Sequence, residues 1–394
     1  MEKDIRVTIK LKSNSSDSQS FNELSSRFET LEFSGKPVNV HSGFNLTSAE
    51  LVHFKNNNQV LLGYISYLTG YKWLMKKESS KKLPVNLPEY FLFSVNRDEI
   101  RINQEIKTSA KDEIPAAIKL STPVSKEKYI EKLNSIRNHL QHGDIYEATY
   151  CIPFTAENIE LDAEIIWERL NKISPMPFSA LLDTEEFSVI SASPERFTRK
   201  TGKKVFLQPM KGTSKKGTTE KENEQLMREL KNDPKERSEN VMIVDLSRND
   251  LSAIAEPGTV HVNELYGVYE FPNILQMIST ISCEVVNKTP GEILKATFPM
   301  GSMTGAPKHR AMQIIDEQED FSRGPFSGML GYIDENNDFD FSVLIRTIFY
   351  DKNQKKIFLA VGSAITIGSD PEKEYEECLI KLQPLLKALN ATID

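Results

Sequence analysis

Apolar residues recur along this chain in two rhythms. Across residues 126–142, Tyr129, Leu133, Ile136 and Leu140 fall at three- and four-residue steps, the spacing of one helical face, and Gly143 follows as a stop. Elsewhere short apolar runs between turn residues read as strands, at 60–67, 178–182, 188–191 and 205–207. Three longer runs near the C-terminus, 326–333, 340–350 and 357–367, read the same way. Gly362-Ser363-Ala364 interrupts the last of them, which predicts a bulge or a close approach to the backbone. Asp233-Pro234 and Asp370-Pro371 each open a helix, with Asp as cap and Pro in the first turn. A further helix spans 306–318, with Ala311, Met312, Ile314 and Ile315 on its apolar face. The polar run 12–20 reads as a loop. Strands outnumber crossover helices and follow one another through short turns such as Glu335-Asn-Asn-Asp338. That favours an α+β fold of antiparallel sheets with helices on the outside, over a doubly wound parallel sheet.

Composition narrows the function. The chain has 394 residues and a net charge of −7, without the basic footprint of a nucleic-acid binder. No run approaches the length of a membrane-spanning helix. Its three cysteines, Cys151, Cys283 and Cys378, are scattered. With no apolar signal core in residues 1–6, they predict the reducing cytoplasm.

Candidate chemistry lies in the second half. The two Asp-Pro helices carry Glu236 with Glu239, and Glu374 with Glu377, each pair on one helical face. If those faces meet, four carboxylates form a hard-oxygen cage suited to Mg²⁺. Taken singly, either pair also describes a solvated face, and Glu236 also suits a helix start. Lys381, one turn after Glu377, is either its surface partner or a cation for a substrate carboxylate. Arg346 shares a strand face with Leu344 and Ile348, where a guanidinium needs an anion from protein or ligand. The Gly301–Lys308 stretch is a Gly-rich turn before a helix, able to offer N–H groups to an anion, or simply a turn. A carboxyl and an amine, Glu195 and Lys211, can supply an acid and a nucleophile if one pocket holds both.

The motifs occur together in a fixed order: Gly143-Asp-Ile-Tyr146, Pro177-Phe-Ser-Ala180, Ser193-Pro-Glu-Arg-Phe197, Pro209-Met-Lys-Gly-Thr213, Asp245-Leu-Ser-Arg-Asn-Asp250, Thr304-Gly-Ala-Pro-Lys308, Ile345-Arg-Thr347. From about residue 125 to the end, the chain resembles the chorismate-utilising enzymes. Residues 1–120 match less clearly and are expected to belong to the same single catalytic unit, 1–394. The resemblance implies two large antiparallel sheets packed together with helices outside. It implies Mg²⁺ held by Glu239 and Glu377, with Glu236 and Glu374 in support. It gives Arg346, Lys381 and the Gly362 backbone to the substrate's anionic groups, and Thr304 to the carbon 4 hydroxyl.

Within that family, the Lys of Pro-Met-Lys-Gly-Thr resembles the branch that aminates chorismate at ring carbon 4, where this side chain is the nucleophile. Lys211 must then be neutral when it reacts, and Glu195 must hold a proton for the departing hydroxyl. Anthranilate-forming members usually carry Ala at the lysine position. Hydrolytic members carry a water-activating Lys at the position of Glu147, where the amine-adding members commonly show Gln. Glu147 is expected to accept a proton from incoming ammonium. Gln276 stands where relatives often have His, and Phe326 where a Tyr commonly offers a hydroxyl to substrate. No Gly-x-Cys-x-Gly nucleophile turn is present, so the resemblance implies a partner glutamine amidotransferase as the ammonia source. The alternatives are an anthranilate synthase component I, an isochorismate synthase, and a non-catalytic chorismate-binding subunit.

Overall fold

The computed structural model describes residues 7–13, 29–54, 56, 58–103, 115–271 and 274–394. Two large antiparallel sheets dominate it, as the alternation of short strands predicts. Among the described residues the first sheet has nine strands. At its centre Glu147–Ala156, Lys356–Ile365, Thr347–Asp351, Phe187–Ser193 and Phe178–Thr184 lie side by side. Val7–Ser13 and Glu29–Gly35 extend it from the N-terminal part. The second sheet runs from Met210–Lys215 through Ile274–Glu284, Lys204–Leu207, Arg196–Thr201, Phe339–Val343 and Met329–Ile333 to Gln59–Ile65 and Tyr90–Asn96.

The first sheet is buried on both faces, so its central strands read as near-continuous apolar runs rather than as clean alternation. In Lys356–Ile365, Phe358 and Ala360 point into the core shared with the second sheet. Ile357, Leu359, Val361 and Ile365 point the other way, into a core built with helices. Tyr64 and Phe91 of the second sheet meet Phe187 of the first edge-on, at ring distances of 6.0 and 5.1 Å. The outer face is covered by Lys126–His142, Ala163–Ile173, Lys308–Gln318 and Pro371–Leu389. The first of these helices matches its predicted bounds, and Gly143 ends it in the left-handed conformation at φ +79°. Pro234–Ser252 packs against the second sheet.

Four sequence expectations are corrected. The run 340–350 is two strands, one in each sheet, and Leu344 to Arg346 carry the chain from one to the other. Arg346 therefore lies on a corner at φ +50°, not on a strand face. The run 326–333 becomes a strand only at Met329, because the preceding residues fold back: the Gly328 N–H donates to Pro325 O. Gly362-Ser363-Ala364 does not break its strand, pairing in register with Cys151, Tyr150 and Thr149, although the close approach to the backbone that it predicts is present. Glycine is needed there by crowding, since a Cβ at 362 would lie 2.6 Å from Cys151 Sγ and 2.8 Å from Tyr150 O. Of the polar run 12–20, Lys12 and Ser13 finish a strand, and the rest lies outside the described residues.

The three cysteines are free and buried. Among the described residues no helix is long and apolar enough to cross a membrane.

A second corner lies beside the first. Phe187–Ser193 belongs to the first sheet and Arg196–Thr201 to the second, so Pro194 and Glu195 make the crossing. Arg196 anchors it: Nε and Nη2 each donate to Asp340 at 2.9 Å, and Nη1 donates to Gln208 Oε1 at 2.7 Å. Both partners of the ion pair are buried, with side chains 2% and 5% exposed. Asp340→Ala strands a buried guanidinium, and we expect a loss of about 3–5 kcal/mol in urea denaturation.

Candidate active site

Glu195 occupies the second corner, and the corner explains its burial. Its carbonyl accepts from Val343 N at 3.0 Å, stitching it to the neighbouring strand. Its Oε1 accepts from Met210 N at 3.3 Å, which brings the carboxyl to the residue before Lys211. Only 4% of its surface is exposed. Burial pushes its carboxyl up to about 7, with the Met210 N–H and the charges of Lys211 and Lys381 opposing. A carboxyl in that range can still hold a proton near neutrality.

Lys211 lies on Met210–Lys215, where the register against Ile274–Glu284 shifts between Met210 and Thr213. Gly212 makes the shift possible at φ +87°, and a Cβ there would lie 3.1 Å from Glu236 Oε2. Gln276 pins this irregular stretch: Nε2 donates to Gly212 O at 2.7 Å, and Oε1 accepts from Thr213 Oγ1 at 2.9 Å. The Lys211 amine then crosses to the first sheet and donates to Glu147 Oε1 at 2.5 Å. Glu147 is fully buried, and its Oε2 has no hydrogen-bond partner.

This pair sets the resting charge of Lys211. Burial works to lower the lysine, but Glu147, Glu239 and Glu195 together outweigh it and hold Lys211 above the ordinary lysine range. The resting nucleophile candidate is an ammonium, and it must give up a proton before it can attack.

The glutamate-bearing faces of the two Asp-Pro helices approach each other. Asp233 caps the first through Glu236 N at 3.0 Å, and Asp370 caps the second through Glu372 N at 3.0 Å. The Lys235 amine reaches Glu239 on one helix and Glu374 on the other, at 3.7 and 3.8 Å. Burial raises Glu239 and Glu374 and pushes Glu236 up to about 7. Burial also acts to raise Glu377, but the ammonium of Lys381 more than offsets it and leaves that carboxyl low. Glu239 Oε1 is buried without a hydrogen bond. Crowded, under-compensated carboxylate oxygens suit a hard divalent cation. Among the described residues no group of three acidic, histidine or cysteine side chains is already closed into a metal-binding arrangement. The field of Lys211 acts on Glu195, Glu239 and Glu377, which ties amine, acid and cluster into one neighbourhood.

Arg346 sits at the first corner, close enough to act on Glu195. Burial lowers its guanidinium to about 10, with Glu195 opposing. It donates to Met176 Sδ at 3.7 Å, and among the described residues no carboxylate pairs with it, which leaves it available to an anionic ligand. Lys381 donates to Gly362 O at 2.9 Å and pairs with Glu377 at 2.6 Å, so the lysine, glycine and carboxylate grouping is assembled.

Two expected contacts find little support in the geometry. Thr304 is fully buried, and its hydroxyl donates to Met300 O and Gly301 O at 3.1 and 3.2 Å. Phe326 is buried in the core between the sheets. The Gly-rich turn is also not an open anion cradle, because Gly305 and Ala306 pair as a strand with Ala148 and Glu147. Lys308 points inward to Asp250 at 2.6 Å and to Thr297 O at 3.1 Å. Asp250 and Lys308 are family-motif residues that sequence reasoning left without a role, and their buried pair fastens the 301–308 stretch to Pro234–Ser252. Gln276 was noted only as a departure, yet it positions the Lys211 strand.

The chain belongs to the chorismate binding enzyme family, whose model matches residues 20–387. It is 38% identical over 269 residues to a probable chloroplastic aminodeoxychorismate synthase of Oryza sativa. It is 35% identical over 266 residues to anthranilate synthase component 1 of Thermus thermophilus, and 32% over 283 residues to aminodeoxychorismate synthase component 1 of Bacillus subtilis. The matches cover 67%, 67% and 72% of this chain, but 30%, 57% and 60% of those relatives' own length. Its fold is shared with anthranilate synthase component I from Streptococcus pneumoniae, at TM-score 0.72 and 19% identity over 98% of this chain and 92% of that one. A putative 2,3-dihydroxybenzoate-specific isochorismate synthase from Bacillus anthracis gives TM-score 0.73 at 19% identity, over 99% and 97% of the two chains.

Glu195 and Glu236 both rise from 4.5 to about 7 on folding. The folded state then binds more protons than the unfolded chain between those values, so each carboxyl contributes stability that is lost as pH rises through that window. In metal-free protein, Glu195→Gln and Glu236→Gln should each flatten the fall in melting temperature between pH 4.5 and 7. An unchanged slope contradicts the burial assigned to them.

Proposed function

We propose that this chain aminates chorismate, converting it with ammonia to 4-amino-4-deoxychorismate on the route to 4-aminobenzoate and folate. The observation that carries the reading is the Lys211 amine of Pro-Met-Lys-Gly-Thr, paired with Glu147 and lying in the field of Glu195 and Glu239. In this scheme Glu147 Oε1, 2.5 Å away, takes the Lys211 proton. The freed nitrogen bonds to ring carbon 2, both conjugated ring double bonds shift, and the carbon 4–oxygen bond breaks. Glu195 delivers its proton to that oxygen, which leaves as water. Ammonia then bonds to carbon 4, both double bonds shift back, and the carbon 2–nitrogen bond returns its electron pair to Lys211. Two displacements replace one difficult one.

Arg346 and Lys381 orient the substrate's carboxylates, aided by the Gly362 backbone. Glu239 and Glu377, supported by Glu236 and Glu374, would hold Mg²⁺, which when bound supplies positive charge for a substrate carboxylate. A partner glutamine amidotransferase in the cytoplasm would deliver the ammonia.

The test is product analysis with chorismate, Mg²⁺ and ammonium chloride, together with intact-mass measurement of trapped protein. Aminodeoxychorismate should form, and a lysine-linked adduct should vanish in Lys211→Ala. Fluorescent anthranilate as the product would replace this reading with the anthranilate one, which the Thermus relative represents. Glu195→Gln should slow turnover by about a hundred- to ten-thousand-fold. Removal of divalent ions with EDTA should abolish turnover, and added Mg²⁺ should restore it.

A further inference from the structure

Lys235 stands in the first turn of Pro234–Ser252, between Asp233 and Glu236. Its amine lies 3.7 Å from Glu239 Oε1 and 3.8 Å from Glu374 Oε1, so it spans the gap between the two glutamate-bearing helices. The carboxylates whose charge acts on it are Glu239, Glu374, Glu236 and Glu377, the full set assigned to the metal. Neither close approach is short enough for a hydrogen bond, and Glu239 Oε1 remains without one. The lysine side chain is 51% exposed, whereas those of Glu239 and Glu374 are 10% and 5% exposed. The amine thus enters from the solvent side, on a flexible stem.

We propose that Lys235 is a resident counter-cation of the four-glutamate cluster, and that a divalent ion displaces it on binding. The inference rests on the reading of these glutamates as a metal site. Four clustered carboxylates, two of them buried, repel one another when no ion is present, and one ammonium partly relieves that repulsion. A divalent ion carries twice the charge and draws oxygens to about 2.0–2.1 Å when it is Mg²⁺, closer than the amine comes. Displacing Lys235 breaks no buried hydrogen bond and returns a half-exposed amine to water. The residue therefore sets metal affinity without being a ligand.

The probe is Mn²⁺, with free ion counted by electron paramagnetic resonance. Lys235→Gln should tighten Mn²⁺ binding by about tenfold. The metal-free variant should melt below the metal-free wild type, and saturating Mn²⁺ should close that gap. In the wild type, Mn²⁺ should speed acetylation of Lys235 by an activated ester, read by peptide mass spectrometry. Unchanged affinity in the variant, or acetylation that Mn²⁺ leaves unchanged or slows, overturns the inference alone. A wild type that binds no Mn²⁺ overturns the metal reading and this inference with it.

Discussion

Buried negative charge is the constraint around which this molecule is arranged. Glu147, Glu195, Glu239 and Glu374 are nearly inaccessible to water. Each local answer differs. Glu147 is matched by the Lys211 ammonium, and Glu377 by Lys381. Glu195 is driven towards its neutral form, because its neighbours are too few to offset its burial. The helix-borne glutamates are left partly uncompensated, with one loosely held lysine between them. Charge left unsettled in this way has a cost in folding, and a site that receives an anionic ring and a divalent ion can recover it on binding.

The sheets make such crowding possible. Adjacent strands cross from one sheet to the other at Glu195 and at Arg346, so one acidic and one basic group are held on neighbouring corners. The Lys211 strand lies at the edge of the second sheet, and Glu147 begins a strand of the first. The amine–carboxylate contact therefore bridges two layers whose positions are set by a large aromatic core, not by the site itself. This is how a rigid scaffold holds groups that would otherwise repel or drift apart.

Much of this was legible in the sequence, for identifiable reasons. The Asp-Pro caps and the three- and four-residue apolar steps are local signals, and the helices they mark appear where expected. The pairing of Glu236 and Glu239 with Glu374 and Glu377 needed tertiary structure, but spacing had already put each pair on one face. The corner at Arg346 was hidden because an apolar run gives no sign of changing sheets midway. The resting charge of Lys211 was not legible in the sequence, because the carboxylates that raise it, Glu147, Glu239 and Glu195, are brought around it only by the fold. The inward roles of Thr304 and Phe326 were invisible, since a buried hydroxyl and a buried ring carry no mark in sequence of what they touch.

The strand Gln59–Ile65 pairs on one side with Tyr90–Asn96 and on the other with Met329–Ile333. During synthesis the first partner arrives almost at once, while the second is still far from the ribosome. The early hairpin must wait with an apolar edge uncovered, the kind of surface that recruits chaperones or other nascent chains. Formation of this sheet is thereby tied to synthesis of Met329–Ile333, and late pairing between distant segments is slow.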